Sequence, residues 1–165
     1  MTLARPCDRL KSDRPGASLA EPIHRATALH KPGPAMTIDP RHLAAFEGFF
    51  SVRDQIEPER LASVEGIKPK GRVDVRRMMV GQDILLLHVW REKGLIDPMH
   101  KHDDHETVAY LIKGRLRLVI GGKEFIAEPG TSWMHPRGVE HFSEALEDCE
   151  QLEIKSPPRK TWTTE

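Results

Sequence analysis

The chain has 165 residues, of which 38% are apolar, 5% aromatic and 30% charged, and its 25 basic and 25 acidic side chains cancel. A chain without net charge has no field to gather nucleic acid or anionic lipid. Its apolar runs, such as Ile84 to Leu87, are far short of the roughly 18 residues that suggest a membrane span. Two cysteines, Cys7 and Cys149, make no disulfide framework, and the expected setting is cytoplasmic.

Residues 1–35 contain Pro6, Pro15, Pro22, Pro32 and Pro34 and few large apolar residues, so a disordered tail is expected there. Met36 is a candidate natural start. Residues 36–70 read as a helical or irregular segment. Asp39 suits a helix N-cap and Pro40 the first helical position. Leu43, Phe46 and Phe50 then recur at i, i+3 and i+7, which predicts one short amphipathic helix. A second short helix is expected near Glu57 to Val64.

From 71 to 157 the chain reads as one β-domain, with a tail over 158–165. The candidate strands are Val73–Val80, Ile84–Arg91, Thr107–Ile112, Arg115–Ile120, Glu124–Ala127, Ser132–Met134, His141–Ala145 and Cys149–Ile154. Gly121-Gly122 between alternating runs marks a hairpin, because a type I′ turn needs two positive φ angles. Pro129-Gly130 and Pro136-Arg137-Gly138 mark two further corners. Eight short strands with no intervening helix predict an all-β sandwich or barrel.

Five of the nine histidines fall between 100 and 141: His100, His102, His105, His135 and His141. On an extended chain His100 and His102 project to the same side, which is how a strand offers two nitrogens to one ion. His141 follows the rigid Pro136-Arg137-Gly138 corner. The two segments together resemble the motifs of the cupin family. Gly94, His100, His102 and Gly114 fall at the places of its first motif, and Gly130, Pro136, Gly138 and His141 at those of its second. Ala145 replaces the asparagine that usually follows. The resemblance covers residues 70–157. It implies a jelly-roll β-barrel (a double-stranded β-helix) holding one divalent metal ion, Fe, Mn, Ni or Zn, in its mouth. It also implies pairing into a homodimer, which the outward apolar residues Val108 and Tyr110 fit.

The implied metal ligands are His100, His102, His141 and a carboxylate. The family's carboxylate position falls on Thr107, and Glu106 stands one residue early. Strand alternation puts Glu106 and Thr107 on opposite faces. Either a bulge near His105 turns Glu106 inward, or three histidines hold the ion with Thr107 beside it. His105, flanked by acids, reads first as a solvated loop residue, and as a ligand it competes with Glu106 for the fourth position. His135 is expected at the rim or facing solvent. Asp103, Asp104 and Glu106 read as a solvated acidic turn, with Asp103 or Asp104 as the alternative orienting partner of a ligand histidine. Arg91, Lys101 and Arg137 make a cationic rim suited to a carboxylate.

Two functions follow from the resemblance. One is a metal-dependent enzyme of dioxygenase, isomerase or lyase type acting on a small polar carboxylate or carbonyl compound. The other is a non-catalytic cupin that binds a metal or small ligand for sensing or storage. The catalytic residues are not assigned by the sequence.

Overall fold

The computed structural model describes residues 39–165; the tail expected over 1–35 and the candidate start Met36 lie outside them. Eleven strands run in chain order: β1 Glu59–Val64, β2 Val73–Val80, β3 Leu85–Arg91, β4 Ile96–His100, β5 Glu106–Lys113, β6 Leu116–Ile120, β7 Lys123–Ala127, β8 Ser132–His135, β9 His141–Ala145, β10 Cys149–Ser156 and β11 Trp162–Thr164. They form two antiparallel sheets. The seven-stranded sheet has the order β11-β1-β2-β3-β10-β5-β8, and the four-stranded sheet β4-β9-β6-β7. This is the jelly-roll arrangement. Among the described residues no helix is long and apolar enough to cross a membrane.

All eight strands expected from the sequence are present, displaced by at most two residues at an end. The Gly121-Gly122 hairpin forms as the sequence requires, with φ of 56° and 76°. Alternation sets which side chains enter the barrel. Strand β5 alternates exposed and buried from Glu106 to Leu111 without a break. Val73 and Val75 of β2, Leu85 and Leu87 of β3, and Leu116 and Leu118 of β6 face inward and are buried. Each such side chain contributes about 1.5–3 kcal/mol relative to exposure.

The helix expected from Asp39 to Phe50 does not form, and among the described residues the one helical run is a single 3₁₀ turn, Arg53–Gln55. Asp39 still closes a turn, accepting from the Arg41 amide at 2.8 Å. Beyond it the amides find partners elsewhere. Leu43 N–H donates to the Pro158 carbonyl and Phe46 N–H to that of Val80, both at 2.9 Å, while Lys160 N–H donates to Arg41 at 2.8 Å. Phe49 and Phe50 remain exposed, so the helical spacing had no surface to bury, and long-range pairing overrode it.

The second expected helix, near Glu57 to Val64, is strand β1, paired with both β2 and β11. Its partners hold it by side chains as well as backbone. Arg60 donates to Asp74 at 2.7 Å. Glu59 accepts from Arg77 at 2.6 Å and from the Trp162 indole at 3.2 Å. Trp162 is buried from β11, so the segment expected as a C-terminal tail closes the sheet.

Gly114 is the glycine this fold cannot change. Its φ is +88°, and a Cβ there would meet the Asp148 carbonyl at 2.3 Å and Cys149 Cα at 2.9 Å. Gly122, at φ +76°, has nothing within 4 Å. Gly114→Ala is expected to cost about 2–4 kcal/mol in urea unfolding, and Gly122→Ala about 1–2 kcal/mol for the left-handed backbone alone. Equal losses at the two sites would contradict the packing described.

Candidate functional site

Strand β4 delivers His100 to one end of the barrel, where it pairs directly with His141 at the start of β9. His102 follows on the loop after β4. All three imidazoles are buried. Ring centroids lie 5.0 Å apart for His100 and His102, 4.4 Å for His100 and His141, and 5.0 Å for His102 and His141. Each residue offers a ligand nitrogen, and the three nitrogens lie within 4.8 Å of one another.

The other nitrogen of each ring is already committed. His100 Nδ1 donates to the Pro98 carbonyl at 2.7 Å, and His141 Nδ1 to the Val139 carbonyl at 3.0 Å. His102 Nδ1 donates to Glu65 Oε1 at 3.0 Å. A neutral imidazole that donates through Nδ1 keeps its lone pair on Nε2. Three Nε2 lone pairs facing one space are the donor set of a divalent ion, and partners of this kind fix the tautomer and orientation that ligation needs. The residues present therefore fit a metal.

Burial favours the neutral form of two of these rings. It holds the pKa of His141 below, and that of His102 well below, the ordinary histidine value, and the nearby Lys155 charge adds to the effect at His102. A ligand that is neutral beforehand loses no proton on binding.

Glu106 is not part of the group. It is exposed on the outer face of β5, and no bulge turns it inward, because β5 keeps an unbroken register with β8 from Thr107 to Tyr110. Thr107 faces the cavity instead, fully buried, its Oγ1 without a hydrogen-bond partner. His105 is also fully buried and donates from Nδ1 to Asp104 at 3.0 Å. It forms a second potential group with Glu65 and His102. In that group the Glu65 carboxylate and His102 Nδ1 are already bonded to each other, so the triad around His141 is the better donor set. Asp104 orients His105 rather than a member of the triad, and Asp103 pairs with Lys101.

Two residues carry more than the sequence suggested. His135, expected at the rim, stacks on His141 with centroids 3.9 Å apart and planes 8° from parallel. Its Nε2 is buried without a partner. Glu65 had no signal in the sequence; it stands in a polar stretch, 37 residues from His102. Its φ of +47° is unusual for a residue with a side chain. That backbone turns the carboxylate onto His102, and Arg41 approaches it at 3.5 Å.

The triad faces a cavity open at the barrel mouth. Its lining is apolar at Val73, Val75, Leu87 and Val89, and polar at Arg91, Asp97, Glu153, Lys155, the histidines and Thr107. Of the three cationic residues expected at the rim only Arg91 enters, while Lys101 and Arg137 stay exposed.

Four histidines of the site, His102, His105, His135 and His141, have pKa values pressed down mainly by desolvation, that of His105 to about 4. In the unfolded chain they titrate near about 6.5. Below that value the unfolded state binds more protons, so stability falls as pH falls. Glu65, raised by burial, acts in the opposite sense but is one group against four. The metal-free protein is expected to lose thermal stability steadily from pH 6.5 to 4.5 in a melting series. A flat or rising Tm over that window would contradict the buried neutral histidines.

The sequence model of the cupin domain family matches residues 88–154. The pectin degradation protein KdgF of Dickeya dadantii is 33% identical over 78 residues, 47% of this chain and 71% of that protein. Among solved structures, KdgF from a Halomonas species superposes with a TM-score of 0.59 at 20% identity, covering 69% of this chain and 97% of that one. An RmlC-like cupin from Shewanella frigidimarina gives 0.62 at 21%, covering 72% and 97%. A predicted oxalate decarboxylase from Thermotoga maritima gives 0.59 at 21%, covering 66% and 99%. At such identities the structures share the fold alone. With the motif positions, the two-sheet barrel and the curated relative in agreement, the chain belongs to the cupin family.

Proposed function

We propose that this cupin is a metal-dependent enzyme acting on a small carboxylate- or carbonyl-bearing compound of the sugar-acid class. The observation that carries the reading is the commitment of all three Nδ1 atoms, which leaves His100, His102 and His141 to present Nε2 to one ion. The relative named for pectin degradation supports the substrate class, since pectin is a polymer of sugar acids.

A divalent ion held by three neutral imidazoles keeps its full positive charge and polarises an oxygen placed against it. The chain's own residues do the rest. The apolar wall of Val73, Val75, Leu87 and Val89 excludes water from one side of a bound molecule. His135, with Nε2 free, stacks on His141 beside the triad and can offer a bound molecule one hydrogen bond. Arg91 is held between Asp97 at 3.8 Å and Glu153 at 3.5 Å, which fixes the floor of the site.

Elemental analysis of the untagged protein is expected to find close to one equivalent of a divalent transition metal. His141→Ala should lose most of it, and Glu106→Ala should keep it. The loaded protein is expected to turn over at least one sugar acid or oxo acid in an NMR screen, with His141→Ala slowed by at least a hundredfold. An absence of bound metal after reconstitution with Fe, Mn, Ni and Zn would contradict the metal centre. Bound metal with no turnover of any carboxylate would contradict the enzyme.

A further inference from the structure

The register of the seven-stranded sheet lines up three inward polar residues. Lys155 of β10 stands opposite Thr107 of β5, and Thr107 stands opposite His135 of β8. All three line the cavity that the histidine triad faces. None is fully partnered. Thr107 Oγ1 and His135 Nε2 have no hydrogen bond. The Lys155 ammonium makes one, to the neutral Thr161 hydroxyl at 3.2 Å, and lies 5.5 Å from the Trp162 ring. An ammonium has three N–H donors, so two remain.

The two buried cations of the cavity differ in this respect. Arg91 is compensated, with Asp97 and Glu153 within 4 Å and a bond to Ser143. Lys155, only 5% exposed, has no carboxylate within ion-pair distance among the described residues. Glu153, Asp97 and Glu65 act on it only from beyond that distance, and removing an ammonium from water without a directly paired counter-charge costs several kcal/mol. A side chain kept there at that cost, with donors to spare and facing an open cavity, is suited to an anion that arrives from outside.

We propose that Lys155, with the Thr107 hydroxyl beside it, is the anchor for the substrate's carboxylate. The inference rests on the reading of the site as a metal centre for a small acid. It assigns the orientation within it: the carboxylate against β10 and β5, and the remaining oxygens of the molecule towards the triad. Thr107 then takes a different part from the ligand carboxylate that the family pattern puts at its position. It gives the anion a neutral donor where a glutamate would repel it. His135, next along the row, lies beyond the anchor and against His141.

The test is isothermal titration of the zinc-loaded protein with D-galacturonate, with pyruvate as a smaller acid, and with D-galactose as the neutral control. The parent is expected to bind one of the two acids at least tenfold more tightly than galactose, and which acid it prefers tells a sugar acid from a short oxo acid. Lys155→Met is expected to keep one equivalent of zinc and to lose at least tenfold in affinity for that acid. It should also melt at a higher temperature than the parent, because an uncompensated buried charge is gone. A lysine with a purely structural role would lower the melting temperature when removed. Thr107→Val, nearly equal in volume, should lose a smaller factor, about three- to tenfold, for one neutral hydrogen bond.

Acid binding unchanged in Lys155→Met, or a parent that binds zinc but neither acid, would overturn the anchor while leaving the metal centre standing. A parent that takes up no zinc would instead overturn the reading beneath it, and titration of the metal-free protein would still show whether acid binding follows Lys155.

Discussion

In a barrel of two sheets, every second side chain of every strand is sent into a space that water fills only at the mouth. A polar group sent there must find a partner or be left wanting one. Here the inward positions of β2, β3 and β6 are met with valine and leucine. Inward positions of β4, β5, β9 and β10 carry histidine, threonine, glutamate and lysine. The result is a cavity with apolar and polar lining from both sheets. Two of its unpartnered atoms, Thr107 Oγ1 and His135 Nε2, lie in one row on β5 and β8.

The partners that do exist decide what the cavity can hold. Two backbone carbonyls and one carboxylate take the Nδ1 protons of His100, His141 and His102. The carbonyls of Pro98 and Val139 each lie two residues before the histidine they orient, so local chain geometry supplies them. Glu65 comes from far away in sequence and needs a left-handed backbone to arrive. Its own approach to Arg41 ties the segment before β1 to the mouth. After the turn at Asp39, Pro158 and Val80 accept the amides of Leu43 and Phe46 and hold the segment against the sheets.

Much of this was legible in the sequence because it is local. Two glycines between alternating runs specify a hairpin, and a proline–glycine corner followed by histidine specifies where a ligand enters. The alternation of β5 already opposed Glu106 to Thr107, and the unbroken register resolved that opposition in favour of Thr107. What was not legible depends on register between distant strands. The spacing of Leu43, Phe46 and Phe50 suits a helix, yet their amides are used by other segments. β1 has residues that favour a helix and becomes a strand because β2 and β11 flank it. The row of Lys155, Thr107 and His135 exists only once β10, β5 and β8 are placed side by side. No spacing along the chain encodes it.

The central claim is that three imidazoles, and no protein carboxylate, hold the ion. X-ray absorption spectroscopy of the zinc-loaded protein tests it most directly. The account predicts three imidazole nitrogens at about 2.0–2.1 Å, with the multiple-scattering signature of histidine and the remaining positions filled by water. Fewer than three imidazoles, or a carboxylate oxygen that disappears in Glu106→Ala, would contradict it.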